Sequence, residues 1–140
     1  FLVQLEVAQR LVAPPGASEY GALSVLTAAR AAARLLGRVR PGGFRPPPKV
    51  HGAFVGFELR APPLPPEDMA AFAATVHAAF AQRRKTLRNA LGASWGRAAA
   101  EQVLAAAGLG PERRAQELDL EEFLRLHTAR RRPGEARVFS

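Results

Sequence analysis

Apolar positions change period along the chain, and the changes mark out elements. Phe1-Leu2-Val3 is a short apolar run that reads as the end of a buried strand. Gln4 to Ala13 follows as a helix with Val7 and Leu11 on one face, stopped by Pro14-Pro15-Gly16. Ser18 is placed to cap the next helix, which carries Leu23, Val25 and Leu26. Ala28 to Val39 fits two readings: its alanines favour helix, and its tail from Arg34 fits a strand equally well. Pro41-Gly42-Gly43 then breaks the chain before Phe44-Arg45-Pro46-Pro47-Pro48-Lys49-Val50, a stiff extended loop without backbone donors at its prolines. Ala53 to Leu59 alternates and is apolar on both faces, as in a strand within a covered sheet.

Ala61 to Pro66 is a proline-rich linker and the expected domain boundary. Everything after it reads as helical. Pro66, Glu67 and Asp68 suit a first helical turn, and Met69, Phe72, Val76, Phe80, Leu87 and Leu91 recur at helical spacing. A second helix runs from about Gly96 to Ala107 and ends at Gly108. A third opens on a capping box, Asp119 with Glu122, with Leu118 able to staple against Phe123. It runs to about Ala129, and the tail from Arg130 to Pro133 is expected to fray.

Length and composition narrow the class. The chain has 140 residues, 48% hydrophobic, enough for a real core. No apolar run approaches the roughly 18 residues of a membrane span. The chain reaches an acid at Glu6 with no cationic lead, so no signal peptide is expected. Cys is absent, which excludes disulfides, thiolate zinc sites and cysteine nucleophiles within these residues. With His51, His77 and His127 scattered, no metal site is expected, and each histidine reads as a surface or packing residue. No Walker sequence, G-x-G-x-x-G or nucleophile elbow is present, so the residues alone hold no complete catalytic site.

Charge points to an anionic partner. The net charge is +8, and all cations but Lys49 and Lys85 are arginine. No acid occurs from Gly21 to Phe57, where Arg30, Arg34, Arg38, Arg40, Arg45 and Lys49 lie. The richest cluster is Arg83, Arg84, Lys85 and Arg88, expected on one helix with the last three on a shared face. It is read as a nucleic-acid contact, with a solvated basic face as the alternative. Phe44 beside Arg45 and Lys49 suits stacking on a base with cations for phosphates, or a core aromatic that the prolines merely route. Trp95 reads as core or an interhelical plug.

Four of these segments occur together in an order that resembles one family. They are Val3-Gln4-Leu5-Glu6-Val7-Ala8-Gln9-Arg10-Leu11, Tyr20-Gly21-Ala22-Leu23-Ser24-Val25, the Phe44 to Val50 segment, and Phe80-Ala81-Gln82-Arg83-Arg84-Lys85-Thr86-Leu87-Arg88-Asn89. A weaker echo is Arg114-Ala115-Gln116-Glu117-Leu118 with Phe123 and Leu126. The set resembles the ribosomal RNA adenine N6-dimethyltransferases of the small ribosomal subunit. Leu5 stands where that family usually has a cation, His51-Gly52 replaces its Asp-Ser, and Asp119 replaces a capping Ser.

The resemblance implies an α+β chain. Residues 1–60 would be the last elements of a Rossmann-like methyltransferase sheet, 61–66 the linker and 67–140 a small all-α RNA-binding domain. It favours a strand near Arg34 to Val39. Phe44 would stack on the target adenine, and Arg45, Lys49, Arg83, Arg84, Lys85 and Arg88 would bind RNA. The glycine-rich S-adenosylmethionine loop, its acidic ribose partner and an N-L-P-Y motif would all precede Phe1, so the chain reads as the C-terminal half, inactive alone. Residues 1–60 by themselves are expected to expose apolar surface. The implied partners are small-subunit rRNA and the small ribosomal subunit, in the cytoplasm, as a monomer with no metal and no membrane. A non-catalytic ribosome-assembly module and a large-subunit rRNA adenine methyltransferase are the alternatives.

Overall fold

The computed structural model describes residues 1–40 and 51–131. Phe44, Arg45 and Lys49, the expected base-stacking loop, lie outside them. The chain forms two compact units, Phe1–Pro63 and Leu64–Ser140.

The first unit holds β1 (Leu2–Gln4), α1 (Leu5–Val12), α2 (Ala22–Ala28), β2 (Ala31–Val39) and β3 (Gly52–Leu59). The strands form one antiparallel sheet in the order β1-β3-β2. Helix α1 covers one face, where Ala8 packs on Ala53 and Val55, ringed by Val3, Leu5, Val12, Ala33 and Phe57. The small Ala8 lets helix and sheet approach closely, and all three central residues are fully buried. Two expectations change here. The opening run does form a strand, from Leu2, but Phe1 and Leu2 are 83% and 49% exposed rather than buried. Strand β3 is covered on one face only, because Phe54, pointing opposite to Ala53 and Val55, is 42% exposed.

The ambiguous segment is a strand, and it starts at Ala31 instead of near Arg34. Pairing with β3 from Ala31↔Leu59 onward satisfies its backbone, and that tertiary gain overrides the helix preference of three alanines. The ladder skips a residue between Leu35↔Val55 and Gly37↔Phe54, leaving Leu36 as a bulge. Gly56 makes room for it: a Cβ there would lie 3.1 Å from Leu36 Cδ1. Ser18 does not cap α2. The helix starts after Gly21, whose N–H donates to Ser24 Oγ at 3.2 Å, while Ser24 Oγ donates to the Arg10 carbonyl and ties α2 to α1. The turns Pro14–Ala17 and Ala17–Tyr20 use up the segment around Ser18.

The second unit is helical: α3 (Pro66–Phe80), α4 (Leu87–Trp95), α5 (Arg97–Ala107), a short 3-10 turn (Ala115–Glu117) and α6 (Leu120–Arg131). Its core is large and closed, with Phe72, Val76, Leu87, Leu91, Leu104, Leu118, Phe123 and Leu126 each at most 1% exposed. Phe80 stacks on Phe123 at 5.6 Å. Gly96 joins α4 to α5 alone, at φ +88°, a conformation that strains any side chain. The capping box of α6 forms as expected: Glu122 N–H donates to Asp119 Oδ1 at 2.8 Å, and Asp119 N–H to Glu122 Oε1 at 3.1 Å. The helix outruns its expected end. Arg130 lies 4.5 Å over the Trp95 ring and Arg131 pairs with Asp68, so both stay helical instead of fraying.

Candidate nucleic-acid interface

The basic cluster is not one helix. Helix α3 stops at Phe80, and residues 81–86 form a turn in which Lys85 N–H donates to the Gln82 carbonyl at 2.9 Å. Thr86 starts α4, its hydroxyl accepting from Asn89 N–H at 3.4 Å. The first two N–H groups of α4 are taken by a distant segment: Leu87 donates to the Arg113 carbonyl at 2.7 Å and Arg88 to the Pro111 carbonyl at 3.2 Å. With the three leading donors satisfied, ending one helix and starting another costs little. The helix end also has few free N–H groups for an anion, so any attraction there comes from side chains.

Those side chains divide into two groups. Arg88, expected to share an RNA-binding face with Arg84 and Lys85, instead pairs with Glu112 at 2.8 Å. Arg113 forks onto Glu122, reaches the Glu117 carbonyl at 3.3 Å and lies 3.7 Å from the Glu117 carboxylate. The Arg113 hydrogen bond is the main cause holding the Glu122 carboxyl below its ordinary value, against the opposing effect of burial. Arg88 thus ties the 111–117 segment to the start of α4, and Arg113 ties it to α6.

Arg84, Lys85 and Arg114 form the other group. All three are exposed, and none makes a side-chain hydrogen bond or ion pair among the described residues. Arg83 is half-buried and engaged. Because the Arg113 carbonyl is bonded to Leu87, Arg114 is brought next to the basic turn. Sequence reasoning did not mark Arg114 as a site residue. The signal was present in the Arg113-Arg114 doublet, which lies over twenty positions from the basic cluster. Three free cations on two segments joined by backbone bonds suit phosphates.

The remaining candidates fall outside this surface. His51 and His77 are exposed. His127 is 2% exposed, edge-on to Phe72 at 5.8 Å, with no partner for Nε2. Burial pushes its pKa below the ordinary value, Asp68 pulls it back and Arg131 adds to the fall. Among the described residues no group of His, Cys, Asp or Glu could hold a metal ion, and no helix is long and apolar enough to cross a membrane. The acids of the first unit, Glu6, Glu19 and Glu58, are all exposed, and Glu6 is paired with Arg10. With no glycine-rich loop beside them, the residues present do not make a nucleotide-cofactor site.

Residues 1–130 match the family model described as ribosomal RNA adenine dimethylase. A ribosomal RNA small subunit methyltransferase A from Syntrophotalea carbinolica is 50% identical over 127 residues, covering 89% of this chain and 48% of that protein. The protein of the same name from Kineococcus radiotolerans is 49% identical, covering 98% and 45%. The chain thus spans about half the length of the curated relatives it matches. In structure it is similar to a dimethyladenosine transferase from Plasmodium falciparum, with a TM-score of 0.73 and 21% identity over 89% of this chain and 54% of that one. It is also similar to the 23S rRNA methyltransferase ErmE, with a TM-score of 0.60 and 25% identity over 91% of this chain and 52% of that one.

Proposed function

Because the chain belongs to the ribosomal RNA adenine dimethylase family, we propose that it is the C-terminal half of an rRNA adenine N6,N6-dimethyltransferase. The full protein would act on two adjacent adenosines near the 3′ end of small-subunit rRNA, in the cytoplasm. The observation that carries the RNA-binding part is the division of cations: Arg88 and Arg113 are spent on carboxylates, while Arg84, Lys85 and Arg114 stand free on the two segments joined by the Leu87–Arg113 and Arg88–Pro111 bonds.

In this reading the helical unit grips the rRNA and fixes which nucleotides are presented. The target adenosine leaves its stack and lies on Phe44, with Arg45 and Lys49 on the neighbouring phosphates. Arg83, Arg84, Lys85 and Arg114 act at the grip, and Arg88 holds the grip in shape. Positioning is the contribution of this chain, since methyl transfer to a well-placed amine needs geometry more than acid–base help. S-adenosylmethionine is the methyl donor, and no step through it is assigned to the side chains present here.

The test compares this chain and its upstream-extended form on unmethylated small ribosomal subunits with labelled S-adenosylmethionine. Transfer of two methyls per adenosine by the extended form alone is expected. Binding without transfer by either form would leave a non-catalytic assembly module. In the extended form, Arg84→Ala with Lys85→Ala should lower the slope of log binding constant against log salt by about 2. An unchanged slope would remove the basic turn from the interface.

A further inference from the structure

Strand β2 is an edge of the sheet among the described residues, and it is lined with arginine. Arg34, Arg38 and Arg40 are all exposed and make no side-chain hydrogen bond or ion pair among the described residues. Arg30, just before the strand, is exposed as well. The nearest acid in register is Glu58, diagonal to Arg34 across the Arg34↔Gly56 pair, and it makes no ion pair with it.

The Leu36 bulge sets how this row is displayed. Arg34 pairs in register with Gly56, on the face of Phe54, whereas Arg38 pairs with Ala53, on the face covered by α1. Without the extra residue the two would share a face. The bulge sends cations to both sides of one edge, along a row about 20 Å long. A polyanion lying along that edge meets guanidinium groups from both sides.

We propose that the β2 edge is a second nucleic-acid contact, in which Arg34, Arg38 and Arg40 bind backbone phosphates of the rRNA strand beside the target adenosine. The proposal rests on the reading of Phe44 as the stacking residue. Arg40 precedes Phe44 by four residues, so at most about 14 Å of chain separates them. The competing explanation is that charge on an edge strand only blocks strand-to-strand association. The acids decide between them. Elsewhere this chain pairs Arg10, Arg97 and Arg88 with Glu6, Glu101 and Glu112, and among the described residues leaves unpaired Arg84 and Arg114, two arginines read as RNA contacts. From Gly21 to Phe57 it supplies none. Blocking needs charge but not a single sign held over that length, whereas a phosphate backbone does.

The test measures binding of the upstream-extended protein to small ribosomal subunits across a salt series. The combined variant Arg34→Gln, Arg38→Gln, Arg40→Gln should lower the salt slope by about 2 to 3. The matching Lys variant should restore it, because the slope counts charge. A slope unrestored by Lys would mean the Gln variant had lost its fold, and would overturn the proposal. An unchanged slope in the Gln variant, with Arg84→Ala and Lys85→Ala still lowering it, would overturn this inference while leaving the proposed function standing. Loss of binding to phosphatidylserine vesicles with no change on subunits would move the edge to a membrane partner and also overturn it. If the unmodified protein binds no subunit, the proposed function falls first and this inference falls with it.

Discussion

In the helical unit Phe72, Phe123 and the leucines at 87, 91, 104, 118 and 126 are at most 1% exposed. In the sheet unit the fully buried residues are small, Ala8, Val25, Ala29, Ala53 and Val55, while Phe1, Leu2, Leu36, Phe54 and Leu59 face solvent. Charge follows the same division. The helical unit pairs Arg88, Arg97, Arg113 and Arg131 with carboxylates, and in the sheet unit Arg10 has such a partner among the described residues while the β2 arginines do not. The helical unit closes its own apolar core and pairs four of its arginines, leaving Arg84, Lys85 and Arg114 free among the described residues. The sheet unit presents both kinds of surface outward, in a chain that spans about half the length of its relatives.

The sharpest way to break this contrast is a pair of truncations. Phe123→Ala should cost about 3 to 5 kcal/mol, since it empties a closed core. Phe54→Ala should cost about 1 kcal/mol or less, because that ring is already partly in water. Denaturant melts of both variants decide it, and equal losses would mean that the exposed face of β3 is covered in solution. Next in size is Asp119→Ala, expected to cost about 1 kcal/mol through loss of the α6 cap. A melt unchanged by that substitution would show that Arg113 alone organises the start of α6.

Acid should act more gently, in two stages. His127 and Glu122 both have folded pKa values below their unfolded ones, so the unfolded chain binds protons first and each group's stabilisation is present only above its unfolded value. Stability should start to fall as pH drops below about 6.5, from His127, and fall again through the carboxylate range, from Glu122. His127→Gln should remove the first stage. A curve identical to that of the unmodified chain would place the loss elsewhere.

Local chemistry explains which parts were readable in advance. The α6 capping box, the stop at Gly108 and the proline start of α3 depend on residues within one turn of each other. The turn at residues 81–86 does not. Its stability comes from carbonyls at Pro111 and Arg113, over twenty positions away, and the periodic run from Met69 to Leu91 continues across it. The same distance hid the partner of Arg88, because Glu112 lies outside any helical window around it. The alanines of β2 left helix and strand open for a related reason: their strand state is decided by β3. Of the expected residues, Arg84 and Lys85 are exposed and Arg88 pairs with Glu112, while Arg114 follows the carbonyl that Leu87 bonds.

The bonds from Leu87 to Arg113 and from Arg88 to Pro111 have a consequence for the order of synthesis. A chain made from its N-terminus produces the basic turn well before the residues that brace it. Until position 113 has emerged, Thr86 is the only side-chain cap at the start of α4, and Arg88 has no Glu112 to turn toward. On a nascent chain Arg88 is then as unclaimed as Arg84 and Lys85. The acids from Glu112 to Glu122 are made later, so the start of α4 takes its final form only when translation of this unit is nearly complete.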